Sequence, residues 1–172
     1  MTSMFCEILK SHLSSVLTEE NTQKLKEIVN NSQRIYVIGN GGSNAIASHI
    51  AVDYSKWNKV PTMGFTDSSM LTAYLNDFGV ENGYLEFLKS HVTDNDLVIL
   101  ISSSGKSINI VNCVKHCEAK NIQYVLLTGF AENNPARTEI NKNCALDVWV
   151  NSSSYGIVEL THESFLHSIV DN

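Results

Sequence analysis

The sequence predicts an α/β fold: a three-layer sandwich with a central five-stranded parallel sheet, preceded by two N-terminal helices. Three observations carry that prediction. Short apolar runs rich in β-branched residues alternate with stretches of helical periodicity, the pattern of strands joined by crossover helices. Two of the runs stop abruptly at Gly/Ser clusters, Ile35-Tyr-Val-Ile-Gly-Asn-Gly-Gly-Ser-Asn44 and Leu97-Val-Ile-Leu-Ile-Ser-Ser-Ser-Gly-Lys-Ser107. The chain has 172 residues, 43% of them hydrophobic, enough to bury one core without staples.

From Met1 to about Asn31 the apolar positions follow helical spacing. Phe5, Ile8, Leu9, His12, Leu13, Val16 and Leu17 share a face, Thr18-Glu-Glu-Asn21 breaks it, and Leu25, Ile28 and Val29 resume it. These helices precede the first strand and have no strand to cross over to. Residues 1–31 are therefore assigned to subunit packing and residues 32–172 to the α/β core. Strands are expected at Arg34–Ile38, Thr62–Phe65, Asp96–Ile101, Gln123–Leu127 and Leu146–Val150. Helices are expected at Ser43–Lys56, Ser68–Leu75, Gly83–His91, Ser107–Ala119 and Pro135–Lys142, with a last one from about Tyr155 to Ile169. No linker, repeat or low-complexity stretch divides the chain, so 1–172 forms a single domain.

A net charge of −6 argues against nucleic acid as a partner. No apolar run approaches the ~18 residues of a membrane span, and the N-terminus lacks a basic flank before an apolar block. A cytoplasmic protein is expected. Cys6, Cys113, Cys117 and Cys144 form no C-x-x-C pair and read as reduced, small apolar packing residues. His91 and His116 are read as structural, His12 as part of the N-terminal apolar face, and Trp57 and Trp149 as core or interface anchors.

A buried strand that ends in a Gly/Ser loop delivers backbone N–H groups and hydroxyls to the carboxyl edge of the sheet. The next helix points its positive end at the same spot. Asn40, Gly41, Gly42 and Ser43 of the first loop, with Ser102, Ser103, Ser104 and Ser107 of the second, are candidates to hold a phosphate, and Lys106 adds an ammonium. The first loop is not G-x-G-x-x-G, because Asn44 stands where the last glycine belongs, and no Gly-Lys-Ser/Thr follows it at P-loop spacing. No nucleotide cofactor is expected. The other reading of the second loop is an N-cap cluster around Ser107 in which the remaining serines are merely tolerated.

His49 and Asp53 lie four apart on the helix after the first loop, and Glu159, His162, Glu163 and His167 form a comparable stripe on the last helix. Two helices that each present carboxylate and imidazole suit a divalent metal or proton transfer. The alternative is exposed surface ion pairs worth at most about 1 kcal/mol each.

Gly39-Asn-Gly-Gly-Ser43, Ser48-His-Ile-Ala-Val-Asp53, Asn76-Asp-Phe-Gly79, Ile101-Ser-Ser-Ser-Gly-Lys-Ser107 and the His162/His167 helix, in that order, resemble the sugar isomerase (SIS) domain family in its phosphoheptose isomerase branch. The resemblance covers nearly the whole chain. It implies a flavodoxin-like sheet and a homotetramer with active sites near subunit interfaces. It also implies a ketose–aldose isomerisation, sedoheptulose 7-phosphate to D-glycero-D-manno-heptose 7-phosphate through an enediol(ate), supplying heptose for lipopolysaccharide or capsule. By the same resemblance Asp53 is the base and His167 its acid partner. His49, Asp53, Glu159 and His167 would hold a divalent metal, zinc being the expected ion. Asn40, Gly41, Gly42, Ser43, Asp77, Ser102, Ser103, Ser104, Ser107 and Glu159 would contact the phosphosugar. Two positions depart from the family pattern: Asp53 replaces a longer glutamate, and Glu159 replaces a glutamine, adding charge that favours a cation. Two other functions stay open, an isomerase of a different phosphosugar and a non-catalytic phosphosugar-binding adaptor with the same fold.

Overall fold

The computed structural model describes residues 3–170; residues 1, 2, 171 and 172 of the expected 1–172 domain lie outside the described residues. Two helices lead, α1 (Met4–Val16) and α2 (Glu19–Asn30). Each starts on a hydroxyl that takes a free backbone N–H: Ser3 accepts from Cys6, and Thr18 accepts from Asn21. The break at Thr18 is thus the cap of the second helix. Then follow β1 (Ile35–Gly39), α3 (Gly42–Asp53), a π-helical turn (Tyr54–Asn58), β2 (Thr62–Gly64), α4 (Ser68–His91) and β3 (Leu97–Ser102). The chain continues through α5 (Ile108–Lys120), β4 (Gln123–Gly129), α6 (Pro135–Thr138), β5 (Cys144–Val150) and α7 (Tyr155–His167).

The five strands form one parallel sheet in the order β2-β1-β3-β4-β5. Strands β1 and β3 are buried along their whole length, as a sheet covered on both faces requires. Alternate residues feed two cores. Ile35, Val37, Ile99 and Ile101 pack with α2, α3 and α7, whereas Tyr36, Ile38, Val98 and Leu100 pack with α4, α5 and α6. From β1 the chain goes first to β2 on one side and then back to β3 on the other. The crevice between the carboxyl ends of β1 and β3 is therefore the topological switch point, the place where such sheets take ligands.

Four expectations change in detail. The two helices expected at Ser68–Leu75 and Gly83–His91 form a single run kinked at Gly79, whose φ of 75° and ψ of 165° are not helical. The helix expected at Pro135–Lys142 stops at Thr138 because the next segment is claimed from outside. The Glu118 carboxylate accepts the N–H groups of Asn141, Lys142 and Asn143, leaving them unavailable for helix. Trp57 is 58% exposed and is no core anchor, whereas the half-buried Trp149 donates its indole N–H to the Phe130 carbonyl and stacks under Arg137. Part of the N-terminal face is used within the chain: Val16, Leu25 and Val29 join the core, while Phe5 and Ile8 stay exposed. Cys113 and Cys117 are buried and unbonded, as small apolar packing residues should be. Among the described residues, no helix is long and apolar enough to cross a membrane.

Candidate active site

The two Gly/Ser loops meet at the switch point. Gly39 lies opposite Ile101 in the β1–β3 register, so the loops leave adjacent strands at the same level. Gly41, with φ of 56° and ψ of −122°, makes the turn into α3, a conformation that an L side chain resists. Between the loops lies a cavity of about 240 Å³ lined by Asn40, Gly41, Gly42, Ser43, Ile101, Ser102, Ser103, Ser104 and Ser107, with Tyr155 and Glu159 of α7 at its side. The starts of α3 and α5 lie at this cavity, and neither first turn carries an acidic residue.

Polar contacts hold the loops in place. The Asn40 and Asn109 amides pair reciprocally, each Nδ2 donating to the other's Oδ1 at 3.0 Å. The Tyr84 hydroxyl donates to the Gly39 carbonyl at 3.0 Å. Gly105, at φ of 63°, turns the serine loop against Asn134, and a Cβ there would lie 1.9 Å from Asn134 Oδ1. Asn134 in turn caps α6, and the Ala136 N–H donates to the Gly105 carbonyl at 2.9 Å.

The hydroxyls themselves are left free. Ser107 stands at the N-cap of α5 but makes no side-chain cap bond. Ser103 is 5% exposed, and its Oγ has no partner among the described residues. Ser104 accepts the Lys106 N–H at 3.3 Å, a long contact that leaves its own proton unused. A turn-capping cluster would consume these groups; a ligand site keeps them (a buried unpaired hydroxyl costs about 1–3 kcal/mol until it is satisfied). The geometry favours the ligand reading.

A second cluster lies beside this cavity, between α3 and α7. The ligand atoms of His49, Asp53 and His167 all fall within 4.8 Å of one another. Asp53 Oδ2 is 3.1 Å from His167 Nε2 and 3.4 Å from His49 Nε2. The His167 Nδ1–H donates to the Glu163 carbonyl at 2.9 Å, so a neutral ring would aim its Nε2 lone pair at the Asp53 carboxylate. A second proton on the ring, or a shared cation, resolves that conflict. Tetrahedral ligands at ~2.0–2.1 Å from zinc stand roughly 3.3 Å apart. Two of the three separations, 3.1 and 3.4 Å, are near that spacing and all three lie within 4.8 Å, so the donor set fits a divalent ion that draws the two imidazoles together.

Glu159 does not join this trio. Its carboxylate lies against Gly42, where an added Cβ would sit 2.6 Å from Oε1, and it lines the serine cavity. Glu163 instead approaches the cluster, with Oε1 3.6 Å from His49 Nδ1. Gly42 and Glu159 also line a second cavity that reaches His49 and Glu163, so the two cavities adjoin at the Gly42–Glu159 contact. Asp77 is exposed on the first half of α4, takes a hydrogen bond from Asn76 Nδ2 at 2.9 Å, and does not line the cavity of its own chain. His162 turns inward: it is fully buried, its Nε2–H donates to the Thr128 carbonyl at 3.0 Å, and burial pushes its pKa down to about 4 despite that bond.

Sequence reasoning missed Asn109, Tyr84 and Asn134, which touch loop backbone or other side chains rather than the cavity. A signal existed for Asn109, an asparagine between Ile108 and Ile110 at the core-facing start of a helix.

The chain has relatives of known kind. A family model described as SIS domain matches residues 10–129. The phosphoheptose isomerase of Campylobacter concisus is 29% identical over 153 residues, covering 86% of this chain and 78% of that one. The phosphoheptose isomerase of Aneurinibacillus thermoaerophilus is 37% identical over 127 residues, covering 70% of this chain and 64% of its relative. Among solved structures, phosphoheptose isomerase GmhA from Neisseria gonorrhoeae superposes with a TM-score of 0.84 at 25% identity, covering 97% of this chain and 93% of that one.

Proposed function

Because this chain belongs to the SIS domain family, in its phosphoheptose isomerase branch, we infer that it is an aldose–ketose isomerase converting sedoheptulose 7-phosphate to D-glycero-D-manno-heptose 7-phosphate. The observation that carries the reading is the convergence of two unlike sites. A cavity of unsatisfied hydroxyls and helix starts and a carboxylate–imidazole pair 3.1 Å apart both draw on α3 and α7, with His49 and Glu163 lining a second cavity that adjoins the first at Gly42 and Glu159.

In this scheme the phosphate is held by Asn40, Ser43, Ser102, Ser103, Ser104, Ser107 and the loop amides. That remote binding energy holds the reacting carbons over the acid. Asp53 takes the proton from the carbon that bears the hydroxyl next to the carbonyl, leaving an enediolate. His167 Nε2 moves a proton between the two oxygens, and Asp53 returns its own to the neighbouring carbon, so no proton is gained or lost. Glu159, between the two cavities, faces the middle of the sugar. In place of that proton relay, His49, Asp53 and His167 would hold a divalent cation through the same atoms, zinc being the expected one, with Glu163 close enough to orient His49. Bound there it would polarise the carbonyl and steady the developing oxyanion.

A homotetramer with sites near its interfaces accords with the apolar surface beside the two cavities. Phe5, Tyr155 and Leu160 are 46%, 59% and 40% exposed, and the Phe5 ring lies against Gly156. Substrate contact by Asp77 would need a neighbouring copy to present it. We place the reaction in the cytoplasm, which suits four free cysteines, and its product in heptose supply for a surface polysaccharide. An adaptor would have no need of the His49/Asp53/His167 convergence.

The test is turnover of sedoheptulose 7-phosphate by purified protein, with added zinc and again with chelator. Product lost on chelation supports both the isomerase and the cation. Product indifferent to chelation keeps the isomerase and removes the cation. No product in either arm overturns this substrate assignment. Light scattering at a single chain's mass of 19.1 kDa would overturn the tetramer.

A further inference from the structure

The wall behind the acid–imidazole pair is built by the pair's own neighbours in sequence. Tyr54 follows Asp53, and Leu166 precedes His167. The Tyr54 hydroxyl, on a fully buried side chain, donates to the Leu166 carbonyl at 2.9 Å. Two bridges therefore run side by side between α3 and α7, one of them catalytic and the other not, offset by one residue at each end. A third lies further along, where Asn58 Nδ2 donates to the Ile169 carbonyl at 3.2 Å.

The donors Tyr54 and Asn58 are the first and last residues of the π-helical turn, which closes with the Lys59 N–H on the Tyr54 carbonyl. Such turns are rare and recur at functional sites. The carbonyls they reach lie at the end of α7 (Leu166) and just beyond it (Ile169), where helix carbonyls run out of intrahelical donors. The Val170 N–H goes to His167 rather than to Leu166, so the phenol fills a place the helix leaves open. Burial raises the Tyr54 pKa, and the group stays a donor at any working pH.

Aspartate has only one methylene between backbone and carboxyl, so its reach is set almost entirely by where the two helices stand. We propose that Tyr54 is a positioning residue, its hydroxyl holding the Leu166 carbonyl so that α3 and α7 keep the spacing at which Asp53 and His167 meet. The proposal rests on the isomerase reading of the site. It predicts that a phenol lining neither cavity still governs the chemical step.

The experiment is Tyr54→Phe, which keeps the ring and removes the bridge, alone and combined with Asp53→Glu. The expected result is a fall in kcat of about 10- to 100-fold with KM changed less than about twofold, since a misplacement on the order of an ångström costs that much. The longer acid should restore part of the loss, making the double variant faster than Tyr54→Phe alone. A kcat within about twofold of the parent overturns the proposal, and so do losses that simply multiply in the double variant. If the parent itself shows no turnover, the isomerase reading fails separately. The nitrogen-15 signal of His167 Nε2 in ligand-free protein then decides the clamp: a shift in Tyr54→Phe upholds it, and an unchanged signal overturns it.

Discussion

The serine cavity and the His49/Asp53/His167 cluster sit side by side but are made in opposite ways. The cavity is shaped by backbone: two strand ends in register, two glycines at positive φ, and a part-buried amide pair tying the first loop to the start of α5. The cluster is shaped by side chains on two helices, and its geometry depends on how those helices stand. His49 is exposed and His167 half-buried, so polar contacts rather than tight packing set where they stand. Backbone-built sites should tolerate the loss of one side chain and fail when the backbone is forced. Side-chain sites should do the reverse.

The sharpest break of this contrast is at the pair. Asp53→Asn or His167→Ala should lower kcat by about 10²–10⁴-fold while leaving the unfolding midpoint and oligomer mass unchanged. Steady-state kinetics beside light scattering checks this, and retained turnover in both variants would remove the pair from the mechanism. Gly105→Ala attacks the other region through its backbone. With φ at 63° and a Cβ 1.9 Å from Asn134 Oδ1, it should cost about 3 kcal/mol or more. Urea unfolding measures that loss, and an unchanged midpoint would show that the loop yields.

Behind the cavity, His162 links stability to pH. Its folded pKa, pushed down to about 4 by burial, lies below the unfolded 6.5, so the unfolded chain binds the extra proton between those values. Stability present above pH 6.5 should be lost as pH falls to about 4, by roughly 3 kcal/mol. Unfolding at pH 7, 5 and 4 tests the slope, and His162→Gln should flatten it. The smallest effect is expected for Ser104→Ala, about fivefold weaker phosphosugar binding from the loss of one hydrogen bond worth about 1 kcal/mol, with the ligand-free midpoint unmoved. An equal loss of stability would restore the turn-capping role.

The fold was legible where burial is two-sided: β1 and β3 announce themselves as β-branched runs cut off by glycine and serine. It was less legible where a distant group overrides local preference. Nothing in Pro135–Lys142 reveals that Glu118 will take its amides, and nothing near Asp53 signals a π turn. In the site, the i, i+4 spacing of His49 with Asp53 and of Glu163 with His167 placed the cluster on two facing helices. The same stripe counted His162, which helical rotation carries into the core with Val158, Phe165 and Leu166. Tyr54 looked like any core aromatic, because a hydroxyl's partner 112 residues away leaves no mark on local periodicity.

The pairing of Asn40 with Asn109 joins the first loop to the start of α5, just after the second loop, through neutral amides only. A guanidinium–carboxylate latch in that place would loosen in concentrated salt and with acid; this one carries no net charge and no titrating proton. The mouth of the cavity should therefore keep its dimensions across buffers in which the attraction between helix ends and phosphate fades. Salt then separates two contributions that usually change together. Whatever affinity survives at high ionic strength measures shape and hydrogen bonding, and whatever disappears measures the field.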